Sequence, residues 1–143
     1  MDDETLEQAG VKYAVEGPVA TITLHRPDVR NAQTPTMWRA LAALGGEIPD
    51  DVILLDWWYE SQPTYPTIDA IARAGRRFMV CPGVSAWNTT FPRIDNALGN
   101  IRGYTRAGIA AGAVGMLNTE WGDYGHYQQP EASLYLYAFG AET

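Results

Sequence analysis

The chain has 143 residues, and its 46% hydrophobic and 11% aromatic content suffices for a single packed core, which argues against disorder. Its formal net charge of −7 repels phosphate backbones, so nucleic acid is not an expected partner. The acidic start Met1-Asp2-Asp3-Glu4 is unlike a signal peptide, and no apolar run reaches the ~18 residues of a membrane helix. We therefore expect a cytoplasmic, soluble protein that does not bind membranes.

The single cysteine, Cys81, excludes an intramolecular disulfide and a cysteine-based metal cluster. It lies within the apolar run Phe78-Met79-Val80-Cys81-Pro82, which predicts a small buried core residue. The histidines and carboxylates do not follow a metal-ligand spacing such as H-x-x-x-H. The sequence therefore predicts no metal and no cofactor.

The first elements along the chain are a predicted β-hairpin and a helix. Two alternating runs, 11–15 and 19–24, flank Glu16-Gly17-Pro18, and the second run places Ala20, Ile22 and Leu24 on one face that we expect to pack. Thr34 is a plausible N-cap with Pro35 in the first helical position, and Gly45-Gly46 ends the predicted helix.

From Asp51 onward short apolar runs alternate with helical patterns, which is typical of βα repetition. The predicted strands are Val52 to Leu55, Phe78 to Cys81 and Val114 to Leu117. The predicted helices are Thr67 to Ala74, Arg93 to Ala111 and Glu131 to Gly140. Glycines at positions 99, 103 and 108 of the longest helix predict close backbone contact or a break there. The fold class is thus α/β, an N-terminal β-hairpin plus helix followed by three βα units in a mainly parallel sheet.

Each predicted strand ends in a group of polar and aromatic residues. These groups are Asp56-Trp57-Trp58-Tyr59-Glu60, Ser85-Ala86-Trp87-Asn88 and Asn118-Thr119-Glu120-Trp121-Gly122-Asp123. In parallel sheets, the groups that touch ligand lie where the strands end and their loops begin. The pattern therefore predicts a site of the kind that binds sugars, with alternation placing Asp56 and Trp58 on one side and Trp57 and Tyr59 on the other.

The N-terminal part, residues 1–51, resembles the opening of an enoyl-CoA hydratase (crotonase) family protein. The similarity lies in the run from Val11 to Pro27, which ends Leu24-His25-Arg26-Pro27, and in Arg30-Asn31-Ala32. The family's oxyanion hole and catalytic acids come from later segments, which have no counterpart here. The resemblance therefore implies, at most, an acyl-CoA-binding remnant.

Residues 52–143 resemble the C-terminal part of a (β/α)8-barrel glycoside hydrolase, most like the family 20 β-N-acetylhexosaminidases. The three strand-end groups, with Cys81-Pro82-Gly83-Val84 before the second and Tyr124-Gly125-His126 after the third, carry this similarity. The resemblance implies that Trp121-Gly122-Asp123 closes a sugar subsite, as a Trp-x-Glu does in the family, and that Trp57 or Trp58 walls the N-acetyl pocket. The family's catalytic Asp-Glu pair lies on an earlier strand, and no strand end here carries such a dipeptide.

Together the resemblances predict a chimera joined near Pro49-Asp50-Asp51-Val52, with both segments fused into one domain. The main hypothesis is a truncated glycoside-hydrolase-like scaffold, a partial barrel that keeps a carbohydrate-binding wall for a small saccharide and lacks turnover. One alternative is a recombined or engineered fold with no evolved ligand. The other is the acyl-CoA-binding remnant.

No residue is assigned a catalytic role. Glycosidase chemistry needs carboxyl groups, and the candidates are Asp56, Glu60, Glu120 and Asp123, with His126 as a further acid or a backbone hydrogen-bond partner. The predicted substrate-binding residues are Trp57, Trp58, Glu60, Trp87, Glu120, Trp121 and Asp123. Alternatively, Trp121 is core, Asp123 caps a turn, and at least one of Trp57 and Trp58 packs against a helix.

Three parallel strands leave open sheet edges, which are sticky unless they are paired or covered. The hairpin could add strands to one edge, and a second copy of the chain could pair at the other. The sequence therefore predicts a homodimer.

Overall fold

The computed structural model describes residues 2–125 and 127–143, and the chain forms two compact units, one ending at Pro49 and the other comprising Asp50–Thr143. The join predicted near Pro49-Asp50-Asp51-Val52 includes this boundary, while fusion of both segments into one domain stays a prediction. None of the helices in the described residues has the length and apolar character required to cross a membrane.

The N-terminal unit consists of a hairpin packed with two helices. Its elements are α1 (Asp3–Gln8), β1 (Val11–Glu16), β2 (Val19–Leu24) and α2 (Pro35–Leu44). The predicted hairpin and helix are confirmed, and Thr34 caps α2 by accepting a hydrogen bond from the Met37 amide at 3.2 Å. Helix α1 was not predicted because six residues are too few to show a helical period, although Asp2 caps it.

The expectation that Ala20 and Ile22 pack on one face of the hairpin is wrong. Ile22 is 46% exposed and Ala20 is exposed as well. The strands are antiparallel, and the pair Val11 and Leu24 at the base meets the core, whereas residues farther along project away from it. The core of this unit is formed by buried residues of both helices and the start of β1: Leu6, Ala9, Val11, Met37, Ala40 and Leu44.

The second unit is built around a parallel sheet. Its elements are β3 (Leu54–Trp57), α3 (Pro66–Arg73), β4 (Phe78–Cys81), α4 (Ile94–Ala110), β5 (Gly115–Met116) and α5 (Leu134–Ala141), the last preceded by a 3₁₀ turn at Pro130–Ser133. The strands are parallel in the order β3-β4-β5, so the predicted α/β class and parallel sheet are confirmed. The hairpin forms a two-stranded sheet of its own, so the expectation that it adds strands to this sheet is wrong.

Helices α3 and α4 bury one face of the sheet, which we call the covered face. Leu54, Phe78 and Val80 point to this face and pack with Tyr65, Ile68 and Tyr104. Leu136 of α5 joins a second cluster with Ala97 and Ile101 of α4 and with the loop after β4. These clusters fix the strand ends relative to the helices.

A glycine allows the longest helix to approach the sheet closely. A Cβ at Gly108 would lie 2.7 Å and 2.9 Å from the two methyl groups of Val80. Because α4 runs without interruption over Ile94–Ala110, the structure selects close contact rather than a break.

Candidate functional site

The carboxyl ends of the three strands bring four aromatic side chains together. The Trp57 and Trp121 rings meet edge-on with centroids 5.7 Å apart, and Tyr59 lies 4.8 Å from Trp87 and 6.3 Å from Trp121 between ring centroids. We call Trp57, Tyr59, Trp87 and Trp121 the aromatic wall. Trp57 is 55% exposed and Trp121 36% exposed, so both rings remain accessible.

Trp58 points to the opposite side, as the alternation predicts. Its ring lies edge-on to Tyr65 with centroids 6.1 Å apart, within the core cluster beneath the covered face. The structure thus places this predicted site residue in the core between the sheet and its helices. This agrees with the alternative in which at least one of Trp57 and Trp58 packs against a helix.

The loop after β4 passes directly under the aromatic wall. A Cβ at Gly83 would lie 2.8 Å from Trp87 Cζ3 and 2.9 Å from Tyr59 Cδ1, so only glycine fits beneath this pair. Nearby Ser85 is 1% exposed and has a φ of 61°, a left-handed conformation that costs a non-glycine residue free energy. The loop is therefore held in a specific strained shape.

Two asparagines one turn apart on α4 hold the strand-end loops in place. Asn100, fully buried, accepts a hydrogen bond from the Gly83 amide at 3.1 Å and donates to the Trp58 carbonyl at 2.9 Å. Asn96 donates to the Tyr59 carbonyl at 2.8 Å and accepts from the Ser61 amide at 2.9 Å. Neither asparagine was predicted as a site residue, although two Asn side chains four residues apart in a helix predicted to cover the sheet were a visible signal.

Asp56 points to the covered face of the sheet, as its register partner Val80 does, and so lies outside the site. It is 9% exposed, and its Oδ2 and the buried Tyr104 hydroxyl have no partner in hydrogen-bonding geometry among the described residues. Burial raises the pKa of Tyr104 far above its usual value, and the nearby Asp56 raises it further. Burial, together with the Asp56 charge, also raises the pKa of Cys81 to about 11. The predicted burial of Cys81 is confirmed at 0% exposure.

Two predicted ligand contacts are engaged in interactions within the chain. Glu60 forms an ion pair with Arg93, with Oε1 2.7 Å from Nη2. Glu120 accepts hydrogen bonds from the Ser133 and Tyr137 hydroxyls, both at 2.8 Å, and from Gln128. The pKa of Tyr137 is raised, mainly by burial and to a smaller extent by Glu120. Glu120 thereby ties the C-terminal segment to the end of β5.

Asp123 follows Trp121 of the aromatic wall by two residues and is exposed to solvent. It starts the one-turn 3₁₀ helix Asp123–Gly125, in which Tyr124 has a φ of 57°. Burial raises the pKa of Tyr59, and the charge of Asp123 adds a smaller contribution in the same direction. The other candidate at this end, His126, lies outside the described residues.

Across residues 2–125 and 127–143, no group of three or more His, Cys, Asp or Glu side chains is placed to hold a metal ion. Comparison with protein-family models, curated proteins and solved structures gives no match for this chain. Both family resemblances therefore remain predictions.

Proposed function

We propose that the second unit binds a small saccharide at the aromatic wall. In open parallel sheets, ligands bind outside the carboxyl ends of the strands, which is where Trp57, Trp121 and Asp123 lie. A sugar ring has an apolar face that packs on an aromatic ring, and its hydroxyl groups donate to a carboxylate. The observation that carries the proposal is the adjacency of two accessible Trp rings and an exposed carboxylate at this edge.

We further propose that binding occurs without turnover. Glycosidic hydrolysis requires a carboxylic acid beside the leaving oxygen and, unless the substrate's acetamide serves, a second carboxylate. Asp56 is buried under the sheet, Glu60 is paired with Arg93, and Glu120 accepts three hydrogen bonds from the C-terminal segment. Asp123 then acts as a ligand contact rather than as one member of a catalytic pair.

The same features support the finer fold proposal, a partial (β/α) barrel of glycoside hydrolase descent. The three strands are parallel and consecutive, with α3 and α4 as crossovers packed on one face. This origin favours an N-acetylhexosamine as the sugar.

Titration with N-acetylglucosamine and its β-1,4-linked disaccharide, followed by isothermal calorimetry and Trp fluorescence, tests the proposal. We expect saturable binding that Trp121→Ala weakens at least about tenfold, which corresponds to about 1.4 kcal/mol. The matched control is Trp38→Ala, because Trp38 is 56% exposed on α2 in the other unit. Absence of saturation, or equal weakening by both variants, would refute saccharide binding at the wall.

Release of nitrophenol from a nitrophenyl N-acetylglucosaminide tests the absence of turnover. The wild type is expected to release it no faster than the double variant Trp121→Ala, Asp123→Ala. Faster release by the wild type would show that the site is catalytic and would overturn this part of the proposal.

A further inference from the structure

The loop that follows β5 is held together at its base by buried side chains. Gln128 Nε2 donates hydrogen bonds to Glu120 Oε1 and, at 2.8 Å, to the Ser133 hydroxyl, which in turn donates to Glu120 at 2.8 Å. Gln128 is 4% exposed and Ser133 is fully buried. We call the described residues between these two ends, 121–125 and 127, the outer loop. Loops whose ends are held close in this way are compact and frequently functional.

The outer loop exposes three aromatic rings. Trp121 is 36% exposed, Tyr124 78% and Tyr127 68%. They lie three residues apart in sequence, and three residues of chain span at most about 11 Å, so each Cα atom lies within that distance of the next. Trp121 already belongs to the aromatic wall, whereas the two tyrosines have no role in the proposed saccharide contact. The outer loop therefore provides two further accessible rings close to the wall.

Tyr124 has a backbone conformation that favours glycine. Its φ of 57° lies in the left-handed region, which is costly for a bulky residue and which glycine adopts readily. Because the side chain is largely exposed, this cost is not offset by burial in a core. Residues held in such conformations cluster at ligand-binding sites. The conformation therefore favours a ligand-binding role for this exposed ring.

We propose that the ligand is a linear oligosaccharide, with one sugar unit at the aromatic wall and the following units on Tyr124 and Tyr127 of the outer loop. A tyrosine presents an apolar ring to the face of a sugar and a hydroxyl to its polar groups, so it suits a ligand that stays partly in water. Successive units of one chain bind adjacent subsites as intramolecular events, which raises the affinity with chain length. This inference rests on the proposed function and names the chain length and charge of its ligand.

The charges near the site favour a neutral oligosaccharide over an acidic one. Asp123 in the outer loop is exposed, and the Glu60 carboxylate neutralises the Arg93 guanidinium, with Oε1 2.7 Å from Nη2. The whole protein carries a net charge of −7. A chain of uronic acids is therefore repelled, whereas the hydroxyl groups of a neutral oligosaccharide donate hydrogen bonds to Asp123.

Calorimetric and Trp fluorescence titrations with N-acetylglucosamine and its β-1,4-linked hexasaccharide test the inference, with Tyr124→Ala, Tyr127→Ala and the control Phe91→Ala. Phe91 is 59% exposed in the segment between β4 and α4, outside the outer loop. We expect the wild type and Phe91→Ala to bind the hexasaccharide at least about tenfold more tightly than N-acetylglucosamine. Each tyrosine variant should weaken hexasaccharide binding at least about threefold and leave binding of N-acetylglucosamine unchanged.

The hexasaccharide also offers more starting positions at the wall, but the tyrosine variants retain that statistical gain. Hexagalacturonate, an acidic chain of the same length, tests the charge argument, and we expect it to show no saturable binding.

Far-UV circular dichroism establishes that each variant is folded, and either tyrosine variant alone suffices if the other unfolds. The inference is overturned if N-acetylglucosamine and its hexasaccharide bind equally, if both tyrosine variants retain wild-type hexasaccharide affinity, or if they weaken both ligands to the same extent. It is equally overturned if Phe91→Ala weakens the hexasaccharide as much as the tyrosine variants do, or if hexagalacturonate binds as tightly. Each of these results leaves the proposed function intact. Absence of binding by both N-acetylglucosamine and its hexasaccharide overturns the proposed function as well.

Discussion

Neighbouring residues along the strands of the three-stranded sheet point to opposite faces, and the two faces differ in burial. Phe78 and Val80 point toward α3 and α4 and are 1% exposed, while Leu55, in the neighbouring strand, points the other way and is 47% exposed. The covered face therefore holds the unit together. The opposite face, which carries Leu55 and has the aromatic wall at its carboxyl end, is the more exposed of the two at Leu55 and Trp57.

The largest expected difference between the faces is in stability. Phe78→Ala should lower the free energy of unfolding by about 3–5 kcal/mol, because it empties a fully packed position. Leu55→Ala should cost less than about 1 kcal/mol, since half of that side chain already contacts water. Urea unfolding of dilute protein followed by far-UV circular dichroism measures both. Equal losses would contradict the division between the faces.

The link between the helices and the wall can be broken at Asn100. Asn100→Ala should cost about 1–3 kcal/mol, because it leaves the Gly83 amide and the Trp58 carbonyl without their side-chain partner. It should also weaken saccharide binding by displacing the loop under the wall. The matched control is Asn88→Ala, at an exposed position, which we expect to stay within about 0.5 kcal/mol of the wild type. Unchanged stability and binding in Asn100→Ala would show that the hydrogen bonds of Asn100 to the strand-end loops are dispensable.

Alkaline pH tests the burial of Cys81, which shares a face of the sheet with Trp57 by register and yet is fully buried. Its pKa rises from 9.0 to about 11 on folding. The unfolded chain therefore loses this proton first, and stability is complete below about pH 9 and falls as the pH rises toward 11. Between about pH 8 and pH 10.5 the thiol should account for a loss of about 2 kcal/mol.

Urea midpoints of the wild type and Cys81→Ala at these two pH values isolate the thiol. The wild type should lose more stability than the variant, with the remaining loss in both coming from tyrosines such as Tyr104 and Tyr137, whose pKa values are also raised. Identical losses in the two proteins would show that the thiol does not titrate as its burial requires.

The smallest effect is expected at the rim of the site. Glu60→Gln removes the partner of Arg93, and because both side chains are about half exposed the change should cost about 0.2–1 kcal/mol. The cost should shrink further in high salt. A loss above about 2 kcal/mol in urea unfolding would mean that this ion pair supports the fold more than its exposure indicates.

The spacing of apolar residues, and the Gly and Pro residues between the apolar runs, predicted the helices and strands. This works because burial on one or both faces of an element determines which of its positions are apolar. The run Phe78 to Cys81 and the helix over Ile94–Ala110 are examples. The side on which Trp57 and Tyr59 lie also followed from simple alternation. Helix α1 is too short to show a helical period in sequence. Which face of the hairpin is buried depends on the elements that pack against it, and a local sequence pattern does not contain this information.

The roles of individual site residues were harder to predict because partners come from distant segments. Glu120 looks like a ligand contact in sequence, yet its partners Ser133 and Tyr137 lie more than ten residues away. Asn100 reaches loops that precede it by 17 and 42 residues. Such long-range hydrogen bonds become visible only when the chain is folded.

The most direct test of saccharide binding at the aromatic wall is a nuclear magnetic resonance titration of the five Trp indole N–H signals with the N-acetylglucosamine disaccharide. Our prediction is saturable shifts at Trp57 and Trp121, and unchanged signals at Trp58, which packs on the covered face, and at Trp38 in the other unit. Shifts at Trp38 or Trp58 equal to those at the wall, or no shift at Trp57 and Trp121, would contradict it.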